Sequence, residues 1–223
     1  MNANGNFSRQ QFIGGFAAAF GGLILPADAF DSENIEVRGV EIRRTGNWAT
    51  RFFRCHDVAF RDLKVRGGHD GVHVRLCDRV TVKGCDFRCG DDCVAGFDNA
   101  DFTVEDCRMN TACSAFRFGG RHVRIRRCTA TGLGMSLCAY GAEKLPLALK
   151  IEVCSFSFAR PTSEFIRAAH LDSLKADRVT VDGVTGPFVR YWGERAPTVE
   201  ASAVEGVGTE VRPATEVFKT QSI

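Results

Sequence analysis

Between Val58 and Ala130 the apolar positions follow a short rule that repeats four times without gaps. Val58, Phe60, Leu63 and Val65 occupy relative positions 1, 3, 6 and 8. So do Val80, Val82, Cys85 and Phe87, then Phe102, Val104, Cys107 and Met109, then Val123, Ile125, Cys128 and Ala130. These units start 22, 22 and 21 residues apart. An earlier copy, Ile35, Val37, Val40 and Ile42, begins 23 residues upstream, and later copies begin near Leu149 and Val179 after longer insertions. Period two, a brief break, then period two again describes two short strands meeting at a bend, and no helix keeps that spacing. A third alternating pair follows in each unit: Val72 and Val74, Val94 and Gly96, Phe116 and Phe118. Three short strands at a fixed period of about 22 residues predict a β-solenoid. The expected fold is therefore all-β: a right-handed parallel β-helix of about seven coils, with three short strands per coil. Leucine-rich repeats share the period, but their L-x-x-L-x-L and Asn pattern is absent.

One coil cannot bury its own apolar face, so like residues of successive coils must pile into internal columns. Cys85, Cys107, Cys128 and Cys154 form one predicted column, and Cys55 with Cys77 another. The spacing thus reads these cysteines as stacked interior thiols. Disulfides would be the ordinary expectation for an exported chain, and a metal site lacks a CxxC pair or His–Cys grouping. Cys89 and Cys93, four apart around a turn, fit either state.

Composition narrows the class. Of 223 residues, 44% are hydrophobic and 25% charged, which suits one folded domain. Twenty-nine basic against 27 acidic side chains leave a formal charge of +2, too balanced for a dedicated nucleic-acid binder. The first residues read as an export signal: Arg9, an apolar run from Phe12 to Leu25, and Ala27-Asp28-Ala29 as a cleavage site. That run is too short to span a bilayer comfortably, and its glycine pairs disfavour the alternative of a buried helix. Ser8-Arg9-Gln10-Gln11-Phe12 also looks like a twin-arginine signal with the second arginine lost, which leaves the export route open. Residues 1–29 are thus expected as a signal peptide and 30–223 as a single β-helix domain, secreted or periplasmic. No membrane association is expected after cleavage, and the oligomeric state stays open.

The same register aligns the candidate chemistry. Gly68-His69-Asp70-Gly71-Val72-His73-Val74 lies over Gly90-Asp91-Asp92-Cys93-Val94-Ala95-Gly96, and that over Ala112-Cys113-Ser114-Ala115-Phe116-Arg117-Phe118. Asp70 and Asp92 are one coil apart, hence stacked at about 4.8 Å along the backbone, with Asp91 beside them. If the valines and phenylalanines point inward, His73, Ala95 and Arg117 share an outward column. Like charges held this close in a partly dry cleft cannot all stay ionised, so at least one carboxyl pKa should rise. A raised carboxylic acid beside an ionised carboxylate is what glycosidic hydrolysis requires: one donates a proton and the other activates water. Singly, each motif reads as a turn whose aspartate caps backbone amides. Two in register on adjacent coils favour the chemistry.

Here the residues resemble glycoside hydrolase family 28, the polygalacturonases and rhamnogalacturonan hydrolases. The resemblance covers coils from about Asn34 to Gly132, roughly half the chain. Gly90-Asp91-Asp92-Cys93-Val94-Ala95 is similar to the family's G/Q-D-D-C-V/I-A motif, Gly68-His69-Asp70-Gly71 to N-T-D-G, and Gly46-Asn47-Trp48 to P-x-W. It implies an inverting hydrolase on a parallel β-helix that needs no metal or other cofactor. Asp91 would be the general acid, and Asp70 and Asp92 would position and deprotonate the attacking water. The pattern is departed from at Gly68, which replaces Asn, and at Cys113-Ser114-Ala115, where the family's G-H-G histidine is missing. The nearest match to R-I-K is Phe165-Ile166-Arg167. His69, His73, Ser114, Arg117 and Arg167 are the candidate substrate-binding residues, an arginine holding a substrate carboxylate bidentately. No metal ligands are assigned.

Two other functions compete. A calcium-dependent polysaccharide lyase would cluster aspartates around a hard cation and use a base such as Arg117. A non-catalytic carbohydrate-binding β-helix would keep a decayed site, as the missing histidine suggests. His56 and His122 read as solvated strand flanks. Arg121, Arg124, Arg126 and Arg127 read as a solvated face, with attraction of an acidic polysaccharide the alternative. Trp48 and Trp192 are placed either on sugars or at a coil edge.

Overall fold

The period-two runs become three parallel sheets along one axis. The computed structural model describes residues 11–13, 27–133, 135–140 and 147–214. The first sheet begins with Glu33–Arg38, His56–Arg61 and Asp78–Lys83. It continues through the second halves of Val94–Glu105 and Ser114–Arg126 and the first halves of Leu147–Thr162 and Leu171–Val184, to Thr198–Glu205. The second sheet stacks Glu41–Arg43, Lys64–Gly67, Asp86–Cys89, Arg108–Thr111 and Thr129–Gly132. The third stacks Ala27–Phe30, Thr50–Phe53, Val72–Arg75, the starts of Val94–Glu105 and Ser114–Arg126, then Met135–Tyr140, Ile166–Ala169, Val189–Trp192 and Val211–Pro213. Each strand pairs in parallel with its equivalent one coil away, so the chain climbs one strand spacing, about 4.8 Å, per turn. The result is a right-handed parallel β-helix of about eight turns, one more than the repeat suggests. The additional strands lie at the ends, where Ala29, Val199, Val204 and Val211 are only partly buried and the apolar pattern is correspondingly weak.

Columns of like residues make the core. Ile35, Val58, Val80, Phe102, Val123, Leu149 and Leu174 are successive register partners and all are buried. This corrects the phase of one repeat: Leu174, Ala176, Val179 and Val181 are the equivalents of Leu149, Ile151, Cys154 and Phe156. The unit begins at Leu174 rather than Val179, because Ala176 is too small to announce a buried position in the sequence.

All ten cysteines are free and nine are buried, so the predicted thiol columns exist. Cys154 Sγ accepts from Cys128 N at 3.4 Å, and Cys77 Sγ accepts from Cys55 N at 3.4 Å. Asn99 ends the second column. Its Oδ1 accepts from Cys77 N at 3.0 Å and its Nδ2 donates to Val74 O at 3.0 Å, satisfying backbone groups that a thiol serves only weakly.

At the bends, equivalent residues of neighbouring coils share a left-handed backbone and carry opposite charges. Asp31 and Arg54, Asp57 and Arg79, and Asp106 and Arg127 all have φ near +50°. Their pairs close at 2.6, 2.7 and 2.6 Å. Exposed pairs of this kind contribute under about 1 kcal/mol each, but they relieve the repulsion that stacking identical residues would create. The run Arg121 to Arg127 is largely neutralised in the same way. Arg124 pairs with Glu152, Arg126 with Glu105, and Arg127 with both Glu105 and Asp106.

The expected signal segment falls mostly outside the described residues: Arg9, most of the apolar run and both glycine pairs lie there. Of the remainder, Gln11–Ile13 pairs with residues 35–37, and Ala27–Phe30 pairs with Thr50–Phe53. Cleavage after Ala29 would cut within that second strand. Among the described residues no helix is long and apolar enough to cross a membrane.

Two outcomes test this packing. At Gly96, φ is +139° and an added Cβ would lie 1.6 Å from Val74 O; at Gly39 it would meet nothing within 4 Å. Urea denaturation should show Gly96→Ala losing about 3 kcal/mol or more, and Gly39→Ala nearer 1. Ellman's reagent should modify Cys113 alone on the folded protein and all ten thiols after unfolding without reductant. A total below ten would mean that disulfides form.

Candidate active site

The turn from the second sheet to the third carries the candidate chemistry. Asp70 lies two residues before inward Val72, Asp92 two before Val94, and Ser114 two before Phe116, and the register of Val72, Val94 and Phe116 stacks the three turns. Main-chain bonds lock them: Gly71 N donates to Asp92 O at 2.9 Å, and Cys93 N to Ser114 O at 3.0 Å. The turns press together so closely that a Cβ on Gly90 would lie 2.4 Å from Gly68 O and one on Gly71 2.5 Å from Cys93 O, which explains glycine at those two positions.

Seven predicted residues meet there. Asp70 is buried, and His73 Nδ1 sits 2.8 Å from its Oδ2, donating when Asp70 is ionised. His69 spans two carboxylates, with Nδ1 3.4 Å from Asp70 Oδ1 and Nε2 3.8 Å from Asp91 Oδ2. Asp92 is also buried. Its Oδ1 accepts from Ser114 N at 3.1 Å, and Arg117 Nε lies 2.9 Å from its Oδ2. Arg117 Nη2 further donates to Cys113 Sγ at 3.6 Å. Asp91 keeps 37% of its side chain exposed and is the carboxylate open to a ligand. The turn-capping role and the charge cluster thus coexist in Asp92.

Burial pushes Asp92 up to about 6. The Asp70 and Asp91 carboxylates push the same way, while Arg117 and the Ser114 amide pull it back. Burial also pushes the Cys113 thiol up to about 12, with Asp92 and Asp91 adding to the effect, so Cys113 stays protonated at neutral pH. One donor atom each from His69, Asp70 and Asp91 lies within 4.8 Å of the others, and the same holds for Asp91, Asp92 and Cys113. A calcium ion wants six to eight oxygen ligands, and these mixed nitrogen, oxygen and sulfur sets do not match it.

Arg167 stands apart. Register runs from Arg117 through Cys138 to Arg167, so two strand spacings separate the arginines. Trp48, read from the sequence as a sugar platform or a coil-edge residue, and Glu164, three coils on, were not among the expected site residues. Trp48 stacks on His73 with ring centroids 4.2 Å apart and an interplanar angle of 20°, holding the imidazole against Asp70. Glu164 is 1% exposed and pairs with Arg167 and Arg190. The signal for Glu164 was available: it precedes inward Ile166 by two residues, as Asp70 precedes Val72. The long insertion before it hid the register.

Burial of Asp92 also makes stability depend on pH. Asp92 titrates near 6 folded and near 3.8 unfolded, so the folded state holds the proton more tightly. Below pH 4 both states are protonated and nothing is lost. As pH rises through 6, ionisation costs the fold about 3 kcal/mol. Asp92→Asn, which leaves Arg117 without its partner, should therefore gain about 2 kcal/mol above pH 7 and nothing below pH 4. Urea melts across that range check it.

Known proteins place the chain by its fold. No curated protein matches it. The structure of a family 28 exopolygalacturonase from Yersinia enterocolitica is similar over 82% of this chain and 46% of that one, at 12% identity and a TM-score of 0.39. This chain therefore spans less than half of that enzyme's length. The family model described as a right handed beta helix region matches residues 29–157, which is more than half of the chain. With its stacked parallel strands and interior columns, the chain belongs to that right-handed β-helix family.

Proposed function

We propose that this protein is a glycosidase that hydrolyses a pectin-like acidic polysaccharide, of galacturonan or rhamnogalacturonan type, by acid/base catalysis at Asp70, Asp91 and Asp92. The observation that carries the reading is the convergence of three carboxylates from two successive coils, one of which keeps its proton up to about pH 6. Asp91 is the exposed member and donates to the glycosidic oxygen. Asp92, with an oxygen within 4.8 Å of Asp91, resupplies that proton through one intervening water. Asp70, oriented by His73 and Trp48, activates the nucleophilic water. This division differs from the one the family resemblance implies, in which Asp92 shares the basic role, because a buried carboxyl that remains protonated is a poor base. Arg117 offers a guanidinium for a substrate carboxylate, 39% exposed beside the acids. His69, between Asp70 and Asp91, and Ser114, whose amide holds Asp92, complete the support for the acids.

The stereochemical course is a sharper question. The family resemblance implies inversion, whereas donor oxygens of Asp91 within 4.8 Å of those of both Asp70 and Asp92 are nearer the spacing of retaining enzymes, about 5–5.5 Å, than the 6.5–9.5 Å of inverting ones. Proton NMR of the first-formed reducing end decides between them. An inverted first product is expected from Asp70 acting as base on water, and a retained anomer would instead make an aspartate the nucleophile, as the short spacing allows.

Reducing ends should appear when the protein is incubated with polygalacturonate or rhamnogalacturonan. Asp91→Asn should lower kcat by about a thousandfold or more. The wild-type rate should fall as pH rises through about 6, where Asp92 loses its proton. EDTA should leave the rate unchanged. A chelator-sensitive reaction that releases an unsaturated product would establish a lyase instead. No cleavage across a broad panel of acidic and neutral glycans would leave a binding module. Secretion belongs to the same reading, and the N-terminal sequence of protein recovered outside the cytoplasm tests it.

A further inference from the structure

The outward positions of the second sheet change character halfway along the helix. One outward column runs Glu41, Lys64, Asp86 and Arg108, then Thr129, Ser155 and Thr180, and ends at Glu205. The column two residues on runs Arg43, Arg66 and Arg88, then Asn110, Thr131 and Ser157, and ends at Asp182. Charged side chains thus give way to six that are polar and uncharged, and charge returns only at the far end.

A cavity of about 500 Å³ opens beside the uncharged stretch. Asn110, Thr131 and Ser157 form its polar side, and Ala112, Leu133 and Phe158 its apolar side. Among the described residues no charged side chain lines it. Leu133 is 50% exposed, the most exposed large apolar side chain among them. The polar side is already oriented. Asn110 Nδ2 donates to Thr131 Oγ1 at 3.2 Å, and that hydroxyl donates to Met109 O at 3.2 Å. Asn110 still offers its second amide hydrogen and its carbonyl to a ligand. Ser157, whose hydroxyl donates to Asp182 Oδ2 at 3.4 Å, offers its lone pairs.

These three polar groups recur once per coil, about 4.8 Å apart, close to the length that one pyranose adds to an extended chain. A neutral sugar carries hydroxyls at its edge and C–H groups on its face, and the cavity presents a surface for each. A uronate would lose water there with no cation lining the cavity to compensate its charge. We propose that this groove binds an extended neutral polysaccharide running along the helix axis. Thr111, which also lines the groove, donates through Oγ1 to Asp91 O at 2.5 Å, so the groove occupies the wall that leads into the aspartate turn. It uses none of the carboxylates of that turn, and it stands whether or not they cleave a glycan.

Methyl NMR of the intact protein, labelled at leucine and threonine, tests the groove. Hexamers of galactan, cellulose and xylan are titrated in turn, with hexagalacturonate as the acidic counterpart. At least one neutral hexamer should shift the Leu133 and Thr131 methyls, and hexagalacturonate should leave both in place. Leu133→Ala and Asn110→Ala, both at exposed positions, should each weaken that binding about fivefold. The proposal is overturned if no neutral hexamer moves these methyls, or if hexagalacturonate moves them at equal concentration. Unchanged affinity in both variants would overturn it as well.

Discussion

The parallel ladder between coils governs everything else in this molecule. Each turn of chain is hydrogen-bonded to the next in strict register, so a residue type recurring about every 22 positions is placed on top of itself at one strand spacing, about 4.8 Å. For apolar residues this is favourable: Val58, Val80, Phe102 and Val123 build one column of core. For charged residues the same geometry is punitive. Two like charges at that distance repel by about 3–4 kcal/mol at an effective dielectric of 20. The surface shows how the fold manages it. In one bend column aspartate alternates with arginine or histidine from coil to coil, Asp57, Arg79, Asp101 and His122, and Glu105 and Asp106 are surrounded by Lys83, Arg126 and Arg127.

The aspartate turn is where that alternation is withheld. Asp70 stacks beneath Asp92 with no cation between them on the column itself. Relief comes from the sides, through the His73 hydrogen bond to Asp70 and the Arg117 guanidinium beside Asp92. It is incomplete, and a proton supplies the remainder. A carboxyl kept protonated up to about pH 6 costs the folded state stability at neutral pH, and it is also the group that acid-catalysed glycoside cleavage demands. Placing the strain at one turn is how a fold of interchangeable coils acquires one coil unlike the rest.

The same register logic produces a second unlike turn at Glu164. There one buried acid pairs with two arginines, Arg167 and Arg190. The turns of Asp92 and Glu164 occupy one position of the repeat, three coils apart. Distance along the face is counted in coils.

Much of this was legible beforehand. The 1, 3, 6, 8 pattern fixed three strands per coil, the inward columns, the stacked thiols and the meeting of Asp70, Asp91 and Asp92, because in a solenoid register is nearly a matter of counting. Counting failed where the period stretched. Insertions before Leu147 and Ile166 hid Glu164 from the column of Asp92, and small Ala176 displaced one repeat in the reading by five residues. What the linear order determined was which residues share a column. What only the tertiary structure decided was which side of each carboxyl faces a cation and which is sealed from water. Those depend on side-chain directions and on the closeness of neighbouring turns, such as Trp48 against His73 and Gly90 against Gly68, and no spacing encodes them.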